Sequence, residues 1–179
     1  ITSSDVLNVI PRRNWTNSTT YDMYEDNISS SNTTTSGATN LYDSTFYFMT
    51  SDFKVYKVLD NNGGTAFSGS EPTSTSNSPF ESGGYILKYM YTLTTSQVQN
   101  FLTTDFMPVA TDSTVSTAAV DGKIESLIVT AGSGYTNGTY YAPIHGDGSN
   151  AGTSSGGIVR ITVAGGALAS FGLTAGTDT

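Results

Sequence analysis

Few residues in this 179-residue chain could carry catalysis, because it has one histidine and no cysteine. His145 is the only side chain able to act near neutral pH as the base of a nucleophile–histidine–acid triad. No Gly-x-Ser-x-Gly motif precedes it, and its glycine-rich surroundings favour an ordinary loop histidine. One histidine without cysteine also excludes a multi-histidine or thiolate metal site within a single chain. We therefore predict no catalytic residue and no metal centre of these types.

The acidic residues offer two further possibilities. Asp60, Asn62 and Glu71 match the first, third and twelfth positions of a calcium-binding loop. Thr65 replaces the required glycine and Pro72 would break the exiting helix, so a turn is the better interpretation. A carboxylate pair for glycoside hydrolysis is possible among 15 acids, but no pair lies in a recognisable motif. We predict no cofactor, no metal and no small-molecule substrate.

The charge balance excludes other partners. The formal net charge is −8, and only 12% of the residues are charged. A nucleic-acid-binding surface needs lysines and arginines to displace counterions, and an anionic membrane attracts the same basic residues. No apolar stretch is long enough to span a bilayer. We expect a protein that binds neither nucleic acid nor membrane.

Alternating apolar residues predict the strands that would hold any functional side chain. Two strands with a turn near residues 50–52 are predicted over 44–59, and a third over 84–92. Bulky side chains occupy both faces of these strands, which is typical of a central strand or of one covered by a partner. The predicted faces are shared by Phe53, Val55, Lys57 and Leu59 in the second strand and by Tyr85, Leu87, Tyr89 and Tyr91 in the third.

One short helix is predicted over residues 94–103. Thr94 and Gln97 have the spacing of a capping box, in which each side chain binds the other's backbone N–H. Val98, Phe101 and Leu102 follow at helical spacing and would form one apolar stripe. Polar, low-complexity segments at 29–40 and 65–83 are predicted to be loops.

A repeat in the last third of the chain suggests a second module. Residues 122–132 align with residues 166–176, and each copy reads as a turn, a strand and a glycine turn. The second copy stops where the first continues, so we expect the module to be incomplete at its C-terminus. The predicted fold is mainly β: a layered β-sandwich-like domain over 1–115 with one short helix, plus a Gly-rich β-repeat module over 116–179.

Aromatic and arginine side chains are the candidates for an interface with another protein. Trp, Tyr and Arg are enriched at interfaces, and several of them lie in an N-terminal arm that reads as extended. The alternative is that these rings pack on their own sheet. The candidate interface residues are Arg12, Arg13, Trp15, Tyr21, Tyr24, Tyr85 and Tyr89.

A series of sequence blocks over residues 5–112 resembles one family of phage proteins. The more specific blocks are Lys-Tyr-Met-Tyr-Thr at 88–92 and Phe-Met-Pro-Val at 106–109, following the Asn-Asn-Gly turn at 61–63. In this order they resemble the baseplate wedge subunit of T-even-like contractile-tailed phages, the gene-eight type of wedge protein also found in cyanophages. Residues 120–179 depart from that pattern and resemble the β-rich insertions of phage virion proteins.

The resemblance implies a structural virion protein without enzymatic activity. It implies a homodimer that contacts other baseplate wedge proteins, is assembled in the host cytoplasm and is located in the virion, in the tail baseplate. Extended β-edges and the N-terminal arm would then pair with neighbouring subunits. A carbohydrate- or receptor-binding tail adhesin is the alternative, and a phage-associated glycan hydrolase is a third.

Overall fold

The structure is a computed structural model that describes residues 6–109, 113–118, 129, 132–144 and 157–175. The chain divides into two compact units, Ile1–Lys123 and Ile124–Thr179. The predicted boundary at 115/116 lies eight residues before this division (123 − 115). His145 and most of the first repeat copy lie outside the described residues.

The first unit contains a four-stranded and a two-stranded antiparallel sheet. The strands are β1 (Asn8–Pro11), β2 (Tyr47–Met49), β3 (Lys54–Asp60), β4 (Phe80–Ser82), β5 (Tyr85–Thr92) and β6 (Phe106–Val109). The larger sheet has the order β2-β3-β5-β4, and the smaller sheet pairs β1 with β6. Mainly β structure and the three aromatic strands are thus confirmed, whereas the loop predicted over 65–83 is wrong at its end, where β4 pairs with β5.

The N-terminal arm is used within the unit. β1 pairs with β6 along its whole length, and the backbone of Arg13 and Trp15 exchanges hydrogen bonds with Met49 at the edge of β2. These bonds satisfy backbone groups that an unpaired strand edge would leave open.

Apolar side chains lie on both faces of the four-stranded sheet. The first cluster is built around rings from β2, β3 and β5, and the second cluster lies between the sheet and β6. The buried members of the first cluster are Tyr21, Phe48, Tyr56, Val58, Phe67, Tyr85 and Leu87. Those of the second cluster are Tyr47, Met49, Val55, Leu93 and Met107. Strands with two bulky faces are therefore central in a layered unit, as their pattern predicted.

The predicted face assignment fails at Tyr91. Tyr89 packs against the first cluster, but Tyr91 packs against the second. The cause is a register shift: Tyr56 is opposite Tyr89, whereas Val55 is opposite Tyr91, so Met90 is an extra residue. A β-bulge of this kind reverses the alternation of all side chains beyond it.

The described residues also include two short α-helices, besides a 3₁₀ turn at Asn62–Gly64. In α1 (Thr95–Phe101), the capping box of Thr94 and Gln97 is present as predicted, and Val98 and Leu102 pack against the second cluster. α2 (Ser113–Ala118) was not predicted, since its sequence STVSTA has no apolar stripe from which a helix could be read. No helix in the described ranges is long and apolar enough to cross a membrane.

A buried carboxylate fixes the first polar loop. Asp22 is fully buried and accepts hydrogen bonds from the Ser36 amide and hydroxyl, both at 2.7 Å, and from the Thr45 amide at 2.8 Å. The Ser44 hydroxyl adds a fourth bond at 3.1 Å. The loop thus gains its order from polar bonds where it has little apolar area to bury.

The described part of the second unit contains the strands β7 (Gly138–Pro143), β8 (Gly157–Ala164) and β9 (Ala167–Ala175). They form an antiparallel sheet with the order β7-β8-β9. The second repeat copy falls on the Gly165–Gly166 turn, where both residues have positive φ, and on β9. The turn and strand predicted for this copy are present, and the repeat module as a whole stays a prediction.

Candidate protein interface

Four of the seven candidate interface residues lie in or against the first cluster. Tyr21 is 4% exposed and Tyr85 is fully buried. The Tyr85 hydroxyl donates to the Thr65 carbonyl at 2.7 Å and accepts from the Tyr21 amide at 3.2 Å. Tyr89 packs on Tyr56 with ring centroids 5.9 Å apart. Tyr21 and Tyr85 are therefore core residues. For these two, the rings pack on their own sheet, which was the alternative to an interface.

Trp15 extends this arrangement into the arm. Its ring meets Phe67 edge-to-face at 5.8 Å, and its indole Nε1 is buried without a hydrogen-bond partner. An indole N–H usually finds a partner when it is buried. Trp15 is thus partly buried against the first cluster, with its indole nitrogen left without a hydrogen bond.

The two arginines fix loops to the arm. Arg12 donates to the Thr103 carbonyl at 2.9 Å. Arg13 donates to the carbonyls of Tyr42 and Asp43, both at 2.9 Å, and its guanidinium carbon lies 5.6 Å from the centre of the Tyr47 ring. Both arginines therefore bind their own chain, and Arg13 positions a polar loop beside the sheet.

Tyr24 lies beneath a lysine on the face of the second cluster. The Lys57 ammonium lies 3.3 Å from the centre of the Tyr24 ring, and the ring also packs edge-to-face on Phe46 at 5.1 Å. This cation–π contact holds Lys57 over an aromatic surface and keeps its head near the apolar residues of that face.

An open apolar depression borders the second cluster. This depression, here called the groove, has a volume of about 350 Å³ and is lined by residues of β1, β2, β3, β5, β6 and the polar loop. Its lining includes Leu41, Tyr42, Phe46, Lys57, Met90 and Val109. Tyr42 is 63% exposed and Met90 47%, so large apolar side chains face solvent here. The groove is the candidate interface that the geometry provides.

Sequence reasoning missed the groove for two reasons. Leu41 and Tyr42 lie next to a low-complexity polar stretch, whose composition predicts a loop and no apolar surface. Strict alternation along β5 also does not predict the bulge that places Met90 in the groove. An apolar pair beside a polar loop was the available signal, since such residues have no strand or helix of their own to pack in.

Among the described residues that line the groove, Lys57 is the charged one. Lys57 and Lys88 are direct cross-strand partners on β3 and β5. Burial lowers the pKa of Lys57, and the neighbouring Lys88 charge lowers it further. The described lining of the groove is thus apolar apart from one lysine.

The second unit has a separate apolar pocket of about 440 Å³ on its sheet. Tyr135, Tyr140 and Phe171 line it together with the aliphatic residues of β8. Tyr140 is 44% exposed and Phe171 is 42% exposed. The pocket offers aromatic faces but few polar groups, which suits stacking and apolar contact better than catalysis.

The acidic residues considered for calcium have other partners. Asp60 accepts from the Asn62 amide within its own turn at 2.6 Å, and Glu71 accepts from the amide and hydroxyl of Ser51 in the β2–β3 turn. Within the described part of the chain, no group of three His, Cys, Asp or Glu could hold a metal ion.

Comparison with protein-family models, with curated proteins and with solved structures finds no match to this chain, so its function is inferred from its own residues and geometry.

Proposed function

We propose that this chain is a structural virion protein of a contractile phage tail, a baseplate wedge component that assembles with a second copy and with neighbouring wedge proteins. The observation that carries the proposal is the groove, an apolar surface on the first unit that the described part of the chain leaves exposed. The resemblance of the blocks at 88–92 and 106–109 to wedge subunits supports the phage assignment.

The physical argument concerns the cost of exposed apolar area. Soluble monomers rarely leave large contiguous apolar patches in water, and such patches commonly mark contacts with other proteins. Val9 and Phe106, outside the groove lining, are also 47% and 41% exposed on β1 and β6. An assembly partner that covers these side chains would recover roughly 25 cal/mol per Å² of apolar surface.

Solution mass and binding to tail particles test this role. We expect light scattering to give a dimer, and we expect the chain to co-sediment with purified tail assemblies lacking their wedge subunit. Leu41→Ser should weaken co-sedimentation because it removes an apolar side chain from the groove. Leu173→Ser is the matched control, since Leu173 is similarly exposed (43% against 38%) but lies on β9. A monomer that ignores tail proteins would contradict the proposal.

A tail adhesin is the second candidate, favoured by the tyrosines of the second unit. Tyr135, Tyr140 and Tyr141 are 53%, 44% and 65% exposed, and exposed rings stack on sugar faces. A glycan array probed with the full chain tests it. Binding that is lost in Tyr141→Ala and in Tyr140→Ala would favour the adhesin, and an array without signal would remove it.

A further inference from the structure

The groove combines an apolar lining with a cluster of cations in a chain that has few of them. Of the seven lysines and arginines, Lys57 lines the groove and Lys88 is its direct cross-strand partner. Arg13 contacts Tyr42 and Tyr47, which both line the groove. No carboxylate belongs to the described lining.

The charge of Lys57 is disfavoured at this position. Its direct cross-strand partner Lys88 carries the same charge, and like charges at opposed positions of neighbouring strands repel each other. Lys57 is also held over the Tyr24 ring at 3.3 Å, where water reaches it less freely than at an open surface. A carboxylate arriving beside Lys57 would offset both penalties, whereas a neutral apolar partner would bury the ammonium without compensation.

We propose that the groove binds a segment of a neighbouring protein that presents apolar side chains beside a carboxylate. The inference rests on the proposed function in that it assigns the groove to an assembly partner, and it adds the chemistry of that partner. Apolar contacts with Tyr42, Met90 and Val109 supply burial, while the cations fix the register of the bound segment. The net charge of −8 repels acidic chains elsewhere, so the local cations would also determine where such a segment docks.

Two synthetic peptides test the proposal directly. One alternates leucine with glutamate, and its counterpart alternates leucine with glutamine. With the isotopically labelled full chain, NMR titration should show shifts at Met90 and Val109 and about tenfold tighter binding of the acidic peptide. This preference should shrink as salt is added, because part of it is exposed electrostatics.

Matched variants distinguish the effect of the Lys57 charge on peptide binding from a general loss of the folded structure. Lys57→Gln should abolish the preference for the acidic peptide, while Lys54→Gln, which makes the same change on the same strand away from the groove lining, should keep it. Met90→Ser should weaken both peptides equally. Since Met90 is half-exposed, this variant should fold even if Lys57→Gln does not.

Three results would overturn the proposal. The first is equal binding of the two peptides by the wild type, and the second is no binding of the acidic peptide. The third is self-association of the chain in sedimentation that Met90→Ser abolishes, because this would assign the groove to a second copy. If the chain prefers the acidic peptide but does not bind tail particles, the phage role is wrong and the proposal for the groove still holds.

Discussion

Tyr89 and Tyr91 lie two residues apart on β5, yet they pack on opposite faces of the four-stranded sheet. The Tyr89 ring contacts Tyr56 in the first cluster, while the Tyr91 hydroxyl reaches the Pro108 carbonyl at 3.3 Å beside the second cluster. The bulge at Met90 makes this possible. It also leaves Met90 half-exposed in the groove, so one irregularity joins the two apolar layers and forms part of the candidate interface.

Tyr91 predicts a loss of stability at alkaline pH. Burial raises the pKa of Tyr91 to about 12, and the neighbouring Tyr47 adds to the shift. A tyrosine in the unfolded chain has a pKa of about 10. The neutral phenol is favoured in the folded state, so its contribution is complete below about pH 10 and is lost as the pH rises towards about 12.

Tyr91→Phe removes the ionising group, so the free energy of unfolding should fall less steeply with pH than in the wild type. Denaturant unfolding over the same pH range measures this. At neutral pH the variant should be less stable by about 1 kcal/mol, because the bond to Pro108 is gone. Tyr56→Phe should flatten the loss in the same way, since burial also raises the pKa of Tyr56 to about 12. An alkaline loss as steep as that of the wild type in both variants would refute this account.

Gly83→Ala should destabilise the first unit by about 3 kcal/mol, of which strain at positive φ and overpacking each supply a part. Gly83 has φ +61°, and a Cβ there would overlap the Phe67 ring and lie 2.6 Å from the Ser68 carbonyl oxygen. Gly63→Ala is the control: φ is +63°, but nothing lies within 4 Å of the added atom. Its cost should be only about 1 kcal/mol. Equal losses in thermal or denaturant unfolding would show that the ring contact is unimportant.

Asp22→Asn should destabilise the protein by about 3 kcal/mol, because an amide cannot accept all the hydrogen bonds that the buried carboxylate accepts. Burial by itself would raise the pKa of Asp22, but the bonds from Ser36 and Thr45 outweigh it and hold the pKa below its ordinary value. The stabilisation is therefore present above the pKa of an unfolded aspartate and is lost as the pH falls through the lower, folded value.

Acid titration followed by circular dichroism checks the sign of this effect. The wild type should lose stability below about pH 4 more steeply than Asp22→Asn does. Asp43→Asn provides the control, since Asp43 is exposed and its carboxylate accepts a hydrogen bond from the side-chain amide of Asn40 nearby. An Asp22→Asn variant as stable as the wild type at neutral pH would mean that the loop does not depend on the carboxylate.

Thr94→Ala should cost about 1 kcal/mol, the usual value of a lost N-cap. The Thr94 hydroxyl accepts from the Gln97 amide at 3.2 Å, and Gln97 accepts from the Thr94 amide at 2.8 Å. Thr95→Ala, at the first helical position and exposed, should cost almost nothing because Ala is a good helix former. A loss in Thr95→Ala equal to that in Thr94→Ala would contradict the capping argument.

Local rules explain the part of the fold that could be predicted. Period-two alternation located β3 and β5, and the spacing of Thr94 and Gln97 located α1, because these signals depend on neighbours within a few residues. α2 was not predicted because its polar sequence has no apolar stripe at helical spacing. The sequence also could not decide whether Tyr21 and Tyr85 lie in an interface or in the core. The residue type and its near neighbours do not reveal whether a tyrosine is buried.

The sequence by itself determined that the chain is rich in strands and has one capped helix. It also determined that the usual catalytic and metal-binding motifs are missing. Only the tertiary structure decided that Tyr21 and Tyr85 are core residues, that Asp22 orders a polar loop, and that Leu41, Lys57 and Met90 share one groove. The reason is that burial, a β-bulge and the meeting of distant segments depend on contacts between residues far apart in the chain, which local patterns do not encode.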